Sequence, residues 1–126
     1  MVETLRWAGE GLDIIDQRLL PMVEKRVLLV TVEAVCEAIR TLAVRGAPAI
    51  GVAAAYGVVV AARERPDEGF VRASAAALRK TRPTAVNLFN ALDRMEAVIS
   101  AAFSSGDPAG RLLECARAIH EEDLRI

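Results

Sequence analysis

Aromatic residues make up only 4% of this chain, and histidine occurs once. That content argues against platforms for stacking nucleic-acid bases. Cysteine is also scarce. Cys36 and Cys115 are the two present, too few for a disulfide scaffold and without the spacing of a metal or redox motif. The expectation is two free thiols in a cytoplasmic protein, with no metal and no cofactor. Neither sign of charge dominates: the formal net charge is −1, with both signs mixed along 126 residues. That excludes a basic footprint for nucleic acid or an acidic tail. Glu3, Arg6, Glu10, Asp13 and Asp16 break up any early apolar run, so no signal peptide is expected. The uncharged stretch from Ala47 to Ala62 is about 16 residues, short of the ~20 a bilayer span needs. Its Ala and Gly content suits a buried helix better than a lipid-facing one, so no membrane partner is expected.

What is abundant is small apolar residue. The hydrophobic fraction reaches 53%, supplied largely by alanine and valine, and this favours closely packed helices. The length suits one domain with a real core. The first thirty residues carry strand signals. "ETLRW" and "LDIIDQRLL" flank the turn "AGEG", and "KRVLLV" follows a break at Pro21. From Thr31, a plausible N-cap, the spacing of Val32, Val35, Ile39 and Leu42 becomes helical. A second helix is expected over about Ala47 to Ala62, with Pro48 in its first turn. "RERPDEG" reads as a loop, and Phe70, Ser74, Ala77 and Leu78 suggest a third helix. Thr84 is expected to cap a fourth, with Ala85, Leu88, Leu92, Met95 and Ile99 on its apolar face and Asn87, Asn90 and Arg94 opposite. "SSGDP" leads into a fifth helix carrying Leu112, Cys115 and Ile119. The fold class expected is α+β but mostly α: an antiparallel β element of two or three strands over residues 1–30, then a bundle of about five helices over 31–126.

Two stretches carry chemistry. In "VRGAPAIG", Arg45 and Gly46 precede a helix start, where unpaired N–H groups and the positive end of the dipole attract anions. Gly46 lets a ligand approach the backbone, and Arg45 offers a planar, permanent charge matched to phosphate oxygens. The parts are those of a phosphate cradle, although an arginine ahead of a helix also occurs as ordinary surface. In "TRPTAVNLF", Arg82 precedes Pro83 at another helix start, with the hydroxyls of Thr81 and Thr84 nearby in sequence. Two such ends meeting around one anion would make a site.

The other candidates read more simply as structure. Gly51 with Ala55, and Ala53 with Gly57 and Ala61, form small-residue rows for tight packing. Tyr56 is read as satisfying a buried hydrogen bond. Cys36 and Cys115 are read as structural thiols on apolar faces, and His120 with Glu121, Glu122 and Asp123 as a solvated helix end. Asp13, Asp16 and Asp93 are scattered and form no acid–base pair, although Asp16, Gln17 and Arg18 together could orient the hairpin.

The combination of "IIDQRLLP", "AIRTLAVRGAPAIGVAAAYG" and "RPTAVNLFNALDRM" resembles the amino-terminal region of the methylthioribose-1-phosphate isomerase family, aldose–ketose isomerases of methionine salvage. The same superfamily includes ribose-1,5-bisphosphate isomerase and the regulatory subunits of the translation-initiation guanine-nucleotide exchange factor. Intact "RGAPAIG" and "RPTAVN" favour a sugar-phosphate isomerase. The resemblance implies that Arg45, Gly46 and Ala47 bind substrate phosphate and that Arg82 also contacts substrate. It implies a homodimer needing no metal or organic cofactor. The family's catalytic cysteine and aspartate belong to a carboxyl-terminal Rossmann-like domain, and neither Cys36 nor Cys115 matches their motif. Residues 1–126 are thus expected to be a substrate-binding domain of a longer enzyme, not catalytic alone and prone to self-association through an apolar docking face.

Overall fold

A computed structural model describes residues 4–41, 43–44 and 46–124. Leu42 and Arg45, both singled out above, lie outside the described residues.

Three short antiparallel strands come first: β1 (Leu5–Trp7), β2 (Leu12–Ile15) and β3 (Arg26–Leu29), in the order β1-β2-β3. Leu5 pairs with Ile14, Trp7 with Leu12, and Leu12 in turn with Leu29. Because side chains alternate across a sheet, these residues share the face that packs on the helices. Leu5, Leu12, Ile14 and Leu29 are buried. On the other face Asp13 accepts hydrogen bonds from Arg6 Nε at 2.9 Å and Arg26 Nε at 3.0 Å, so one carboxylate ties all three strands together.

The second strand is shorter than the run "LDIIDQRLL" suggests. It stops at Ile15, and Gln17–Leu19 forms a 3-10 turn. The cause is Asp16. Its carboxylate accepts from the backbone N–H of Arg18 at 3.0 Å, a local bond that competes with sheet pairing. The same carboxylate takes Arg18 Nη2 at 2.6 Å, which pulls its pKa below the ordinary carboxylate range. The expected orienting role of Asp16, Gln17 and Arg18 thus takes the form of a capped turn.

Five helices follow: α1 (Val32–Arg40), α2 (Ala47–Glu64), α3 (Glu68–Arg79), α4 (Val86–Ser104) and α5 (Pro108–Leu124). Thr31 caps α1 as expected, its hydroxyl accepting from Ala34 N at 3.1 Å. The loop read into "RERPDEG" shrinks to three residues, 65–67, because α2 runs on to Glu64 and Asp67 caps α3 through Phe70 N. In α3 the buried positions are Val71, Ser74, Ala75 and Leu78, while Ala77 is exposed. Leu88, Leu92, Met95 and Ile99 of α4 are fully buried. Ala85 precedes that helix as its N-cap and packs, half-buried, against the core, while Thr84 makes no cap.

Helix α2 is the centre of the bundle. It packs against α1, α3, α4, α5 and the sheet, and every residue from Ile50 to Ala62 is buried. A helix so apolar all round belongs in a core. By length and composition α2 is apolar enough to cross a membrane, but 72% of it is buried within the domain. Its small residues do the packing work expected of them. A Cβ at Gly57 would stand 3.0 Å from Leu78 Cδ1 and 3.1 Å from Val35 Cγ1, so α1 and α3 both seat directly on this turn. Large apolar side chains left in solvent include Met22, Val23, Leu28 and Val30 beside the sheet and Val86 at the start of α4.

Candidate functional site

The helix starts differ from one another in a way that spacing alone did not disclose. Thr31, Asp67 and Asp107 cap α1, α3 and α5 through their side chains, Asp107 Oδ1 accepting from Gly110 N at 3.1 Å. Helices α2 and α4 begin at Gly46 and Ala85 with no side-chain cap. An α-helix leaves its first N–H groups without intrahelical partners, so these two ends keep donors that a capping oxygen would otherwise occupy. They are also the two ends preceded by the arginine-bearing motifs.

The tertiary structure brings these ends together. Gly51, in the second turn of α2, lies so close to α4 that a Cβ there would meet the carbonyl oxygen of Asn87 at 2.8 Å. Asn87 is the second residue of α4. Pro48 of α2 and Asn87 of α4 also line one cavity. The two helices therefore run close together near their starts, the proximity that an anion site shared by both ends would need.

Gly46 adopts φ 99°, a left-handed conformation that favours glycine, and space beside its Cα is open. Gly46, Ala47 and Pro48 are exposed, as access to a ligand requires. Arg82 is half-buried in the turn closed by the bond from Ala85 N to Arg82 O at 3.0 Å. Its guanidinium takes no hydrogen bond or ion pair among the described residues. Arg45, the remaining sequence candidate, is outside the described residues. Thr81 does not contribute: it is buried and its hydroxyl donates to Leu78 O at 2.6 Å, finishing α3.

The thiols stand where structure uses them. Cys36 is buried and Cys115 half-buried, and in both burial pushes the thiol pKa up, away from a nucleophilic thiolate. No group of three or more metal-ligating side chains occurs among the described residues.

His120 corrects the reading of a solvated helix end. It is half-buried, its Nδ1 lies 2.8 Å from the Tyr56 hydroxyl, and its ring meets the Tyr56 ring edge-on. Trp7 stacks on Tyr56 with centroids 5.8 Å apart. Tyr56 thus satisfies the buried hydrogen bond expected of it and ties the hairpin to α2 and α5. A signal was available: His120 follows the buried Ala116 by four residues, which places it beside the apolar stripe.

Residues 43–126 match the sequence profile of the Initiation factor 2 subunit family (IF-2B). The chain is 49% identical to a methylthioribose-1-phosphate isomerase of Methylococcus capsulatus, over 98% of this chain and 36% of that protein. It superposes on the crystal structure of a 5-methylthioribose 1-phosphate isomerase from Pyrococcus horikoshii with TM-score 0.87 and 33% identity, over 97% of this chain and 36% of that one. It also superposes on translation initiation factor eIF-2B, subunit delta, from A. fulgidus, with TM-score 0.91 and 36% identity, over 98% of this chain and 38% of that one. The chain spans little more than a third of the length of the relatives it matches.

Proposed function

The chain belongs to the initiation factor 2 subunit family, and on that premise we propose that it is the substrate-binding amino-terminal domain, residues 1–126, of an aldose–ketose isomerase acting on 5-methylthioribose 1-phosphate. In this reading Arg45, Gly46, Ala47 and Arg82 hold the substrate phosphate. The product is 5-methylthioribulose 1-phosphate, and the pathway is methionine salvage. The observation that carries the reading is the close approach of two uncapped helices near their starts, Gly51 in the second turn of α2 against Asn87 in the first turn of α4, each helix preceded by an arginine-bearing motif. The identity to named isomerases supports the substrate class.

The anomeric phosphate ester keeps the ribose ring closed, so opening it requires a proton at the ring oxygen. Hydrogen then moves from C2 to C1 while the C2 hydroxyl gives up its proton and becomes the ketone, which balances the proton gained at the ring oxygen. A carboxyl-terminal Rossmann-like domain of the whole enzyme supplies the groups for both steps, without metal or organic cofactor. The present domain contributes orientation: it fixes the phosphoryl end and helps to keep water away from the reacting carbons. The whole enzyme would be a cytoplasmic homodimer.

Calorimetric titration of the chain with 5-methylthioribose 1-phosphate and with ribose 1,5-bisphosphate tests this reading. The first should bind, and Arg82→Ala should weaken it by roughly 1.5–3 kcal/mol, about 10- to 150-fold, with the circular dichroism unchanged. Preference for the bisphosphate would move the assignment to ribose-1,5-bisphosphate isomerase. A folded chain that binds neither would overturn the enzyme reading in favour of a regulatory subunit, to which the superposition on the delta subunit points.

A further inference from the structure

Beside the two uncapped helix starts lies a cavity of about 160 Å³, open to solvent and walled by three helices. Its polar lining comes from Asn87, Asn90 and Arg94 of α4 and Asp123 of α5. Pro48, Val52 and Ile119 are among its apolar walls. The charges decide what it accepts. Arg94 is already engaged, its Nη1 and Nη2 donating to the two carboxylate oxygens of Glu122 at 2.8 and 2.7 Å. A bidentate pair of this kind leaves little free positive charge to attract an anion.

The groups left over are two carboxamides and one carboxylate. None of Asn87, Asn90 and Asp123 has a side-chain hydrogen bond or ion pair to another described residue. Asp123 lies half-buried in the last turn of α5, where the helix dipole disfavours a carboxylate. Its placement there gains nothing for the helix. A carboxylate accepts only, while each carboxamide both donates and accepts. That set, beside a C–H-bearing apolar wall, matches the hydroxyl groups and carbon skeleton of a polyol. It repels a phosphate.

Position links the cavity to the phosphate-binding motifs. Pro48 directly follows Ala47, and Asn87 follows Arg82 by five residues on the opening turn of α4. A ligand with its phosphoryl group at the helix starts would extend its carbon chain toward Asn90 and Asp123. We propose that this cavity is a polyol subsite, in which Asn87, Asn90 and Asp123 bind the ring hydroxyls of a sugar whose phosphate is held at the starts of α2 and α4. The subsite rests on the sugar-phosphate reading above, but Asn90 and Asp123 lie beyond the opening turns that hold phosphate.

The test is nitrogen-edited NMR of the chain titrated with 5-methylthioribose 1-phosphate, ribitol and inorganic phosphate. The side-chain amide signals of Asn90 should move with the sugar phosphate, and with ribitol at high concentration, while inorganic phosphate leaves them still; those of Asn87, on the opening turn of α4, should respond to both sugar probes. Asp123→Asn, at a half-buried position, and Asn90→Ala, at an exposed one, should each weaken the sugar phosphate about 5- to 10-fold and leave inorganic phosphate binding unchanged. Amide signals that stay fixed with both sugar probes would overturn the subsite. So would variants that bind the sugar phosphate as the parent does, or that lose inorganic phosphate equally. Arg82→Ala separates the two ideas. If it changes nothing while Asp123→Asn still weakens the sugar phosphate, the subsite stands and the phosphate reading falls.

Discussion

The carbonyl oxygen of Asn87 occupies the space a methyl group on Gly51 would need, 2.8 Å from the ideal Cβ position. The contact joins residues 36 positions apart and sets how closely the starts of α2 and α4 approach. A backbone oxygen cannot rotate aside as a side chain can, so relief requires one helix to move.

Gly51→Ala is therefore expected to destabilise the domain by about 1–3 kcal/mol, despite the ~1 kcal/mol that alanine gains over glycine in a helix interior. Gly57→Ala is the control. The atoms nearest its Cβ would be methyl groups of Leu78 and Val35 at 3.0–3.1 Å, which can yield by a few tenths of an ångström. The overpacking cost there should nearly cancel the propensity gain, within about 1 kcal/mol. Urea denaturation of both variants checks the contrast, and equal midpoints would remove the steric argument.

Tyr56→Phe keeps the ring against Trp7 and His120 and deletes the hydroxyl 2.8 Å from Nδ1. The expected loss is about 0.5–1.5 kcal/mol, with more if the imidazole nitrogen is left without a partner. Because the stack on Trp7 persists, the near-ultraviolet signal of the indole should survive in the folded variant. A variant as stable as the parent would show that the hydroxyl contributes nothing net.

Asp16 makes stability depend on acid pH. The Arg18 side chain bonded to its carboxylate lowers the folded-state pKa below the unfolded value of ~3.9. With a depressed pKa, the stabilisation is fully present above the unfolded value and disappears as pH falls through the folded one. Asp16→Asn should thus melt at a lower temperature than the parent at pH 7, with the gap closing below about pH 4. Thermal melts across pH 2–7 decide it, and a gap that widens on acidification would reverse the sign.

Much of the fold was legible because its signals are local. Thr31 lies three residues ahead of the N–H it caps. Leu88, Leu92, Met95 and Ile99 repeat at helical spacing and are all buried. The errors came where local signals compete. The apolar "RLL" suggested more strand, yet the Asp16 carboxylate bonded the Arg18 N–H and turned the chain instead. Thr84 is a good capping residue by type, yet the turn from Arg82 to Ala85 places the helix start one position later. His120 was hidden among acidic neighbours, and only the packing of α5 on α2 brought it to Tyr56.

By itself, then, the order of residues determined that a short antiparallel sheet precedes five helices, that α2 is buried and that two arginines stand before helix starts. Only the tertiary structure decided that the starts of α2 and α4 adjoin, and that Asn90 and Asp123 face one cavity. The physical reason is range. Caps and helical stripes act across three or four residues, whereas which helix ends meet depends on how small residues such as Gly51 and Gly57 let whole helices approach.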